Sequence, residues 1–275
     1  MLVLQLTDLH IRPRGEACYR VAETNMLSER ALRAVARLRP QADLVLITGD
    51  VTDCGLATEY AMVKEMLARH LPRGAHLIPG NHDRREVMIE ALGCPASEAG
   101  FIDYVIDAGP LRIVMLDTVV AGFAHGELRA VQLDWLDRSL SEQPNKPTLI
   151  GMHHPPFDCG IGHMDAINLR NARAFADIVA RHRQVERIIC GHHHRAITAR
   201  VAHAIATIAP SVATSVELDL RPHAPPAFVL EPGAYQIHRW TPIGGFVTHT
   251  AFVEDYPGPF PFATPPEYPG RGKPA

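Results

Sequence analysis

Residues 190–195 read C-G-H-H-H-R, three histidines in succession. Four other short stretches carry side chains of the same chemistry: T-D-L-H at 7–10, T-G-D at 48–50, P-G-N-H-D at 79–83 and M-H-H-P-P at 152–156. Imidazole, carboxylate and amide oxygen together suit Zn, Mn, Fe or Co. They supply more donors than one ion needs. A carboxylate can bridge two ions held roughly 3.5–4 Å apart, which is the arrangement of two-metal hydrolases. Such a pair stabilises both the attacking and the leaving oxygen of a displacement at phosphorus, and it acidifies bound water. Taken singly, each stretch reads more simply as a turn, a cap or a solvated side chain. Taken together they need a common location.

The elements supply that location. Residues 2–6, 43–48, 75–79, 147–152 and 186–190 are short apolar runs bounded by polar, Gly or Pro residues, and read as buried strands, as does 111–116. Each of the five polar stretches comes directly after one of these runs. In α/β sheets ligands bind at the carboxyl ends of the strands, so residues far apart in sequence can converge there. Between the runs lie amphipathic stripes that read as core faces of helices. They comprise Leu27, Ala31, Val35 and Leu38; Tyr60, Val63, Leu67 and Leu71, behind an N-cap expected at Thr58; Leu133, Leu136 and Leu140; and Phe175, Ile178 and Val179. The alternation predicts an α/β fold with helix-covered sheets. After residue 196 the helical period stops. Residues 196–220 and 234–253 read as strands and turns on either side of a proline-rich link at 221–232, and the last 20 residues, with seven prolines, read as an irregular surface arm.

The five motifs D-x-H (8–10), G-D (49–50), G-N-H-D (80–83), H-H-P (153–155) and G-H-x-H (191–194), in this order, resemble the signature of the calcineurin-like metallophosphoesterases. The wording T-D-L-H-I-R-P-R-G, D-C-G at 53–55 and I-P-G-N-H-D is most similar to the branch holding class III cyclic-nucleotide phosphodiesterases and related glycerophosphodiesterases. The resemblance implies a two-sheet β-sandwich flanked by helices, a four-layer αββα fold, with a catalytic core over 1–200. A β-rich segment over 201–255 would complete the core and form a cap or dimerisation hairpin, and 256–275 would be the proline-rich arm. It also implies two divalent metal ions, Fe, Mn, Zn or Co. Asp8, His10 and His194 would hold one ion; Asn81, His153 and His192 would hold the other; Asp50 would bridge them. His82 would serve the substrate, donating to a phosphoryl oxygen or protonating the leaving group, and Asp83 would orient His82. If the 192–194 segment is extended, residues two apart share a side. His192 and His194 would then face the ions, and His193 would be a polar filler or a rim residue. His154 would line the pocket or only pack.

The expected activity is hydrolysis of a small phosphodiester, a glycerophosphodiester or a cyclic nucleotide, by in-line attack of a metal-bridging hydroxide. A phosphomonoesterase or nucleotide pyrophosphatase on the same metal core, or a non-catalytic scaffold of the same fold, are the alternatives. Arg84 and Arg85 could grip a phosphomonoester or merely begin a solvated helix. Residues 210–215 are expected at the pocket rim, and Cys18 and Tyr19 near it.

The totals bound the classes. With 275 residues and 47% apolar content, the chain can bury a large core without staples. A net charge of −3 gives no support for nucleic-acid or membrane-surface binding. Five cysteines without a C-x-x-C pair fit free thiols in a cytoplasmic protein. The six-residue apolar start lacks a basic flank and is not expected to be a secretory leader. A homodimer or higher homo-oligomer is expected.

Overall fold

The computed structural model describes residues 1–261. The chain runs β1 (Leu2–Leu6), α1 (Thr24–Arg37), β2 (Leu44–Thr48), α2 (Ala57–His70), β3 (His76–Ile78), α3 (Arg85–Leu92), β4 (Tyr104–Ala108), β5 (Leu111–Leu116) and α4 (Ala130–Glu142). It continues through β6 (Thr148–Met152), α5 (Gly162–Asp165), α6 (Ala172–Arg181), β7 (Val185–Cys190), β8 (Ile197–Val201) and β9 (Ala204–Ile208). The last strands are β10 (Ser215–Val216), β11 (Phe228–Val229), β12 (Ala234–Thr241) and β13 (Gly245–Phe252). The proline-rich arm expected over 256–275 lies outside the described residues from 262 onward.

Two sheets form, ordered β13-β12-β1-β2-β3 and β4-β5-β6-β7-β9-β8, with a small β10-β11 ribbon beside them. The side-chain period of two makes the second sheet an inner layer. On β5, Ile113 and Met115 join the core shared with the first sheet, while Val114 and Leu116 point the other way onto Leu136, Leu140, Phe175 and Val179 of α4 and α6. Helices α1 and α2 cover the first sheet through Ala31, Leu32, Val35, Tyr60 and Val63. The layers are therefore α, β, β, α, as expected.

Between the sheets the buried polar side chains are bonded to one another. Gln5 donates to Thr48 Oγ1 (2.8 Å) and to the Cys190 carbonyl (2.9 Å), so β1 and β2 of the first sheet are tied to the end of β7 in the second, where their loops begin. His238 Nε2 lies 3.1 Å from Gln5 Oε1, which brings the C-terminal hairpin into the same network. That hairpin, β12–β13, pairs antiparallel with β1 and extends the first sheet.

The strands at 2–6 and 111–116 match their sequence limits, and the others differ by a residue or two at their ends. One cap differs. Helix α2 is capped at Leu56 rather than at Thr58: the buried Glu59 carboxylate accepts the Leu56 N–H and the Cys54 N–H, both at 3.0 Å. A carboxylate in the first turn satisfies two orphan donors where a threonine would satisfy one. Among the described residues no helix is long and apolar enough to cross a membrane, and all five cysteines are free.

Candidate metal centre

Strands β1, β2 and β3 run parallel in one sheet and β6 and β7 in the other, so five carboxyl ends open on one edge of the sandwich. The loops leaving them turn at once. Asp8, His10, Asp50, His192 and His194 all have positive φ, between 46° and 74°. A non-glycine residue pays about 1–2 kcal/mol for that conformation, and such strain collects at functional sites. Here it aims five donors inward within four residues of a rigid strand. The turns also leave no room. A Cβ on Gly49 would stand 2.3 Å from His153 Nδ1, and one on Gly80 would stand 2.2 Å from Asp50 Oδ1.

The imidazoles share one arrangement. His153 Nδ1 bonds the Thr48 carbonyl (2.8 Å) and His194 Nδ1 the Thr214 carbonyl (3.0 Å). His10 Nδ1 bonds Asp53 Oδ1 at 3.2 Å. Each acceptor takes the Nδ1 proton and leaves the Nε2 lone pair free, the outer-shell device that orients metal-binding histidines. Those lone pairs converge. His10 Nε2 and His194 Nε2 lie 3.2 Å apart, and His194 Nε2 is 3.3 Å from Asp8 Oδ1. His153 Nε2 is 3.4 Å from Asp50 Oδ2 and 3.3 Å from Asn81 Oδ1. The buried His192 makes no side-chain hydrogen bond among the described residues, and its Nε2 is an orphan.

Two groups of donors emerge, one around Asp8, His10, Asp50 and His194, the other around His153 and His192. Asp50 stands between them, with Oδ2 3.7 Å from His10 Nε2 on one side and 3.4 Å from His153 Nε2 on the other. Burial opposes ionisation of Asp50, yet His153 and His82 hold its carboxyl well below the usual range. Buried lone pairs and carboxylates packed this closely are costly unless a cation joins them. The donor set fits divalent ions.

His82 sits beside the donors. Its backbone N–H donates to Asp50 Oδ1 (2.9 Å) and its Nδ1 to the Asp53 carbonyl (2.8 Å), so Nε2 remains free. Burial disfavours its charge, but Asp50 and Asp53 raise its pKa above the ordinary value. The centre floors a cavity of about 500 Å³ whose outer wall holds Tyr19, Met164, Ile167, Val216 and Phe228.

Three sequence readings are corrected here, and for His154 one of the two alternatives holds. Asp83 does not touch His82: it accepts Val51 N–H, Thr52 N–H and Oγ1–H, Gly80 N–H and the Tyr60 hydroxyl, all within 3.0 Å. It pins the loop, and Asp53 holds His82 instead. The segment 192–194 is a left-handed turn, not extended, so strand alternation does not apply. Its side chains still diverge, but His193 is fully buried rather than at the rim. Its Nδ1 meets Cys159 Sγ (3.1 Å) and its Nε2 meets Asn168 Oδ1 (2.7 Å). His154 packs. Although its ring lies close to His153 and His192, Thr118 Oγ1 (2.7 Å) and the Ala124 carbonyl (3.1 Å) occupy both its nitrogens. Arg85 is neither a substrate grip nor solvated: its guanidinium pairs with buried Asp117 (2.9 Å), and neither it nor Arg84 lines the cavity.

Sequence reading gave Asp53 no role, although a carboxylate three residues beyond Asp50 on the same loop was a signal to follow. Phe228, stacked against Tyr19 at 5.2 Å, had no signal.

Comparison with known proteins agrees. Residues 1–196 match the model of the calcineurin-like phosphoesterases. The chain is 36% identical over 265 residues to a probable glycerophosphodiester phosphodiesterase, GpdQ, of Arcobacter nitrofigilis, covering 95% of this chain and 97% of that one. It is 33% identical over 197 residues to the 3',5'-cyclic adenosine monophosphate phosphodiesterase CpdA of Pseudomonas aeruginosa, covering 71% of this chain and 70% of that one. Its fold is that of a dimetal phosphatase from Danio rerio, with a TM-score of 0.62 at 17% identity over 92% of this chain and 99% of that one. Five strand-end motifs, a cation-demanding cluster of buried donors and full-length relatives lead to one statement: the chain belongs to the calcineurin-like phosphoesterase family.

Proposed function

We propose that this protein is a dinuclear-metal phosphodiesterase acting on small phosphodiesters, of the glycerophosphodiester or cyclic-nucleotide kind. The observation that carries the reading is the convergence of proton-free Nε2 atoms of His10 and His194, 3.2 Å apart, beside Asp8 and Asp50. Asp8, His10 and His194 would hold one ion, Asn81, His153 and His192 the other, and Asp50 would be shared. Fe, Mn, Zn and Co all accept such ligands. Bound there, the ions supply charge neutralisation at phosphorus and acidify water.

The protein's own residues do the rest. The Asp53 carbonyl keeps the proton on His82 Nδ1, so a protonated ring has its Nε2–H to offer. Directed at a phosphoryl oxygen it stabilises developing charge; passed to the ester oxygen it releases the alcohol. The cavity favours a diester. Among the described residues no Lys or Arg lines it, so no guanidinium or ammonium is there to grip a monoester dianion, while the Tyr19 and Phe228 wall suits an organic group.

The activities for which the relatives are named support the same substrate class. The cytoplasmic location and the homo-oligomer belong to this proposal as well. Leu218, Leu220 and Leu230, each about 60% exposed beyond the last metal motif, are the surface an oligomer would cover.

The test is hydrolysis of bis(p-nitrophenyl) phosphate beside p-nitrophenyl phosphate by chelator-stripped protein given Mn, Zn, Co or Fe(II). Metal-dependent turnover favouring the diester is expected. Preference for the monoester would move the reading to a phosphatase. Bound ions with no turnover would return the scaffold.

A further inference from the structure

A second cluster of donors lies behind the turn that carries His192 and His194. Cys159 Sγ, His193 Nδ1 and an Asp165 carboxylate oxygen all lie within 4.8 Å of one another. The ring of His193 is fixed for coordination. Asn168 Nδ2 donates to the Phe157 carbonyl (2.9 Å), which sets the amide so that Oδ1 faces His193 Nε2 at 2.7 Å. An amide oxygen can only accept, so the proton is on Nε2 and the Nδ1 lone pair points at Cys159 Sγ, 3.1 Å away. The carboxylate is fixed as well: Asp165 Oδ1 accepts Cys159 N–H (2.8 Å) and, at longer range, the Asn168 amide (3.5 Å), while Oδ2 accepts only Gly160 N–H (2.9 Å) among the described residues and keeps a lone pair. Gly160 is exposed, while Cys159 and Asp165 are half-buried, so the cluster is reachable from solvent.

Cysteine, histidine and asparagine in this order could also suggest a nucleophilic thiol. The surroundings argue otherwise. Burial and the neighbouring Asp165 push the Cys159 thiol up to about 11, so it is not a ready thiolate. A bound cation reverses that preference, because a coordinating thiol is deprotonated outright.

We propose that Cys159, His193 and Asp165 form a separate binding site for a thiophilic divalent cation, Zn²⁺ above all. Thiolate, imidazole and carboxylate are zinc's own ligand types, and three protein ligands with an open position are a common zinc arrangement. Thiolate and carboxylate together balance the ion's charge, and the thiol proton leaves to solvent. The ion would lock His193 and with it the turn between two proposed ligands of the main centre. The inference rests on the dinuclear reading only in counting this ion as the third.

The test is cobalt titration of the stripped full-length protein, followed in the visible and near-ultraviolet. The proposed main centre has no thiolate, so a thiolate-to-cobalt charge-transfer band belongs to a site of the Cys159 kind. We expect that band to saturate at about one equivalent and to disappear in Cys159→Ser. Tightly bound zinc should then fall from about three to about two per chain, and Asp165→Asn should weaken cobalt at the band about tenfold. A titration that fills the visible bands with no charge-transfer band overturns the proposal and leaves the dinuclear reading standing. A band that survives Cys159→Ser overturns it too, and assigns the thiolate to Cys18, beside His10 and Asp53. A charge-transfer band without a second or third bound cobalt supports this site and removes the dinuclear reading instead.

Discussion

His82 and Asp83 are neighbours in sequence with different work. In the proposed reaction the free Nε2 of His82 would face the reacting group, whereas Asp83 is bonded to the loops that carry Asp50 and Asn81 and to Tyr60 of α2. Substituting His82→Ala should therefore lower kcat on a diester roughly 10²–10³-fold with bound metal unchanged, as loss of an acid or oxyanion donor does. Asp83→Ala should act on stability. It would strand buried donors from Val51, Thr52, Gly80 and Tyr60, at a cost of roughly 3–5 kcal/mol. Denaturant unfolding of the two variants separates the roles. If Asp83→Ala unfolded like the parent and lost only kcat, the orienting role read from sequence would stand after all.

At the scale of elements, the centre depends on how short the path is from strand to donor. Asp50 follows Thr48 by two residues and His192 follows Cys190 by two, and the donor itself is left-handed in both. Such turns concentrate strain of about 1–2 kcal/mol per residue, which the buried sheets must offset. They also require glycine beside the donors. In Gly80→Ala the new methyl would compete with Asp50 Oδ1 and its backbone nitrogen, 2.2 and 2.4 Å away, so Asp50 must move. We expect this variant to stay folded but to hold one ion fewer and to lose at least about tenfold in diester turnover. Full metal content by elemental analysis would show that Asp50 is not the shared ligand.

For the whole molecule, pH should reveal a buried acid outside the proposed metal ligands. Asp103 accepts the Asp117 N–H (2.8 Å) and the Gln132 amide (3.0 Å), and the Arg85–Asp117 pair lies next to it. Burial pushes its pKa up to about 7. In the unfolded chain the same carboxyl ionises near 3.9. Between those values the unfolded state gives up its proton while the folded state keeps it. Stability from this group is thus fully present below about pH 4 and is lost as pH rises through about 7. Asp103→Asn removes that loss. Its melting temperature relative to the parent should rise by several degrees between pH 5 and pH 8. A constant difference across that range would mean that Asp103 is ionised in the folded protein.

What the sequence by itself determined is the donor set and its placement. Strand runs of four to six residues, each followed at once by Asp, Asn or His, already require convergence at one sheet edge, because parallel strands end together. Core stripes such as Phe175, Ile178 and Val179 were legible for the same reason, that burial imposes a period. The tertiary structure alone decided which nitrogen of each histidine is free. For His153, His82 and His194 the acceptors that decide it are the Thr48, Asp53 and Thr214 carbonyls, backbone groups that carry no residue signature, and for His10 it is the Asp53 carboxylate; Thr48 lies 105 residues from the histidine it orients. Tertiary structure likewise turned His193 inward to Cys159 and Asn168 and gave Asp83 to the loops. A side chain's partner is whatever the fold brings within hydrogen-bond reach, and sequence spacing does not measure that distance.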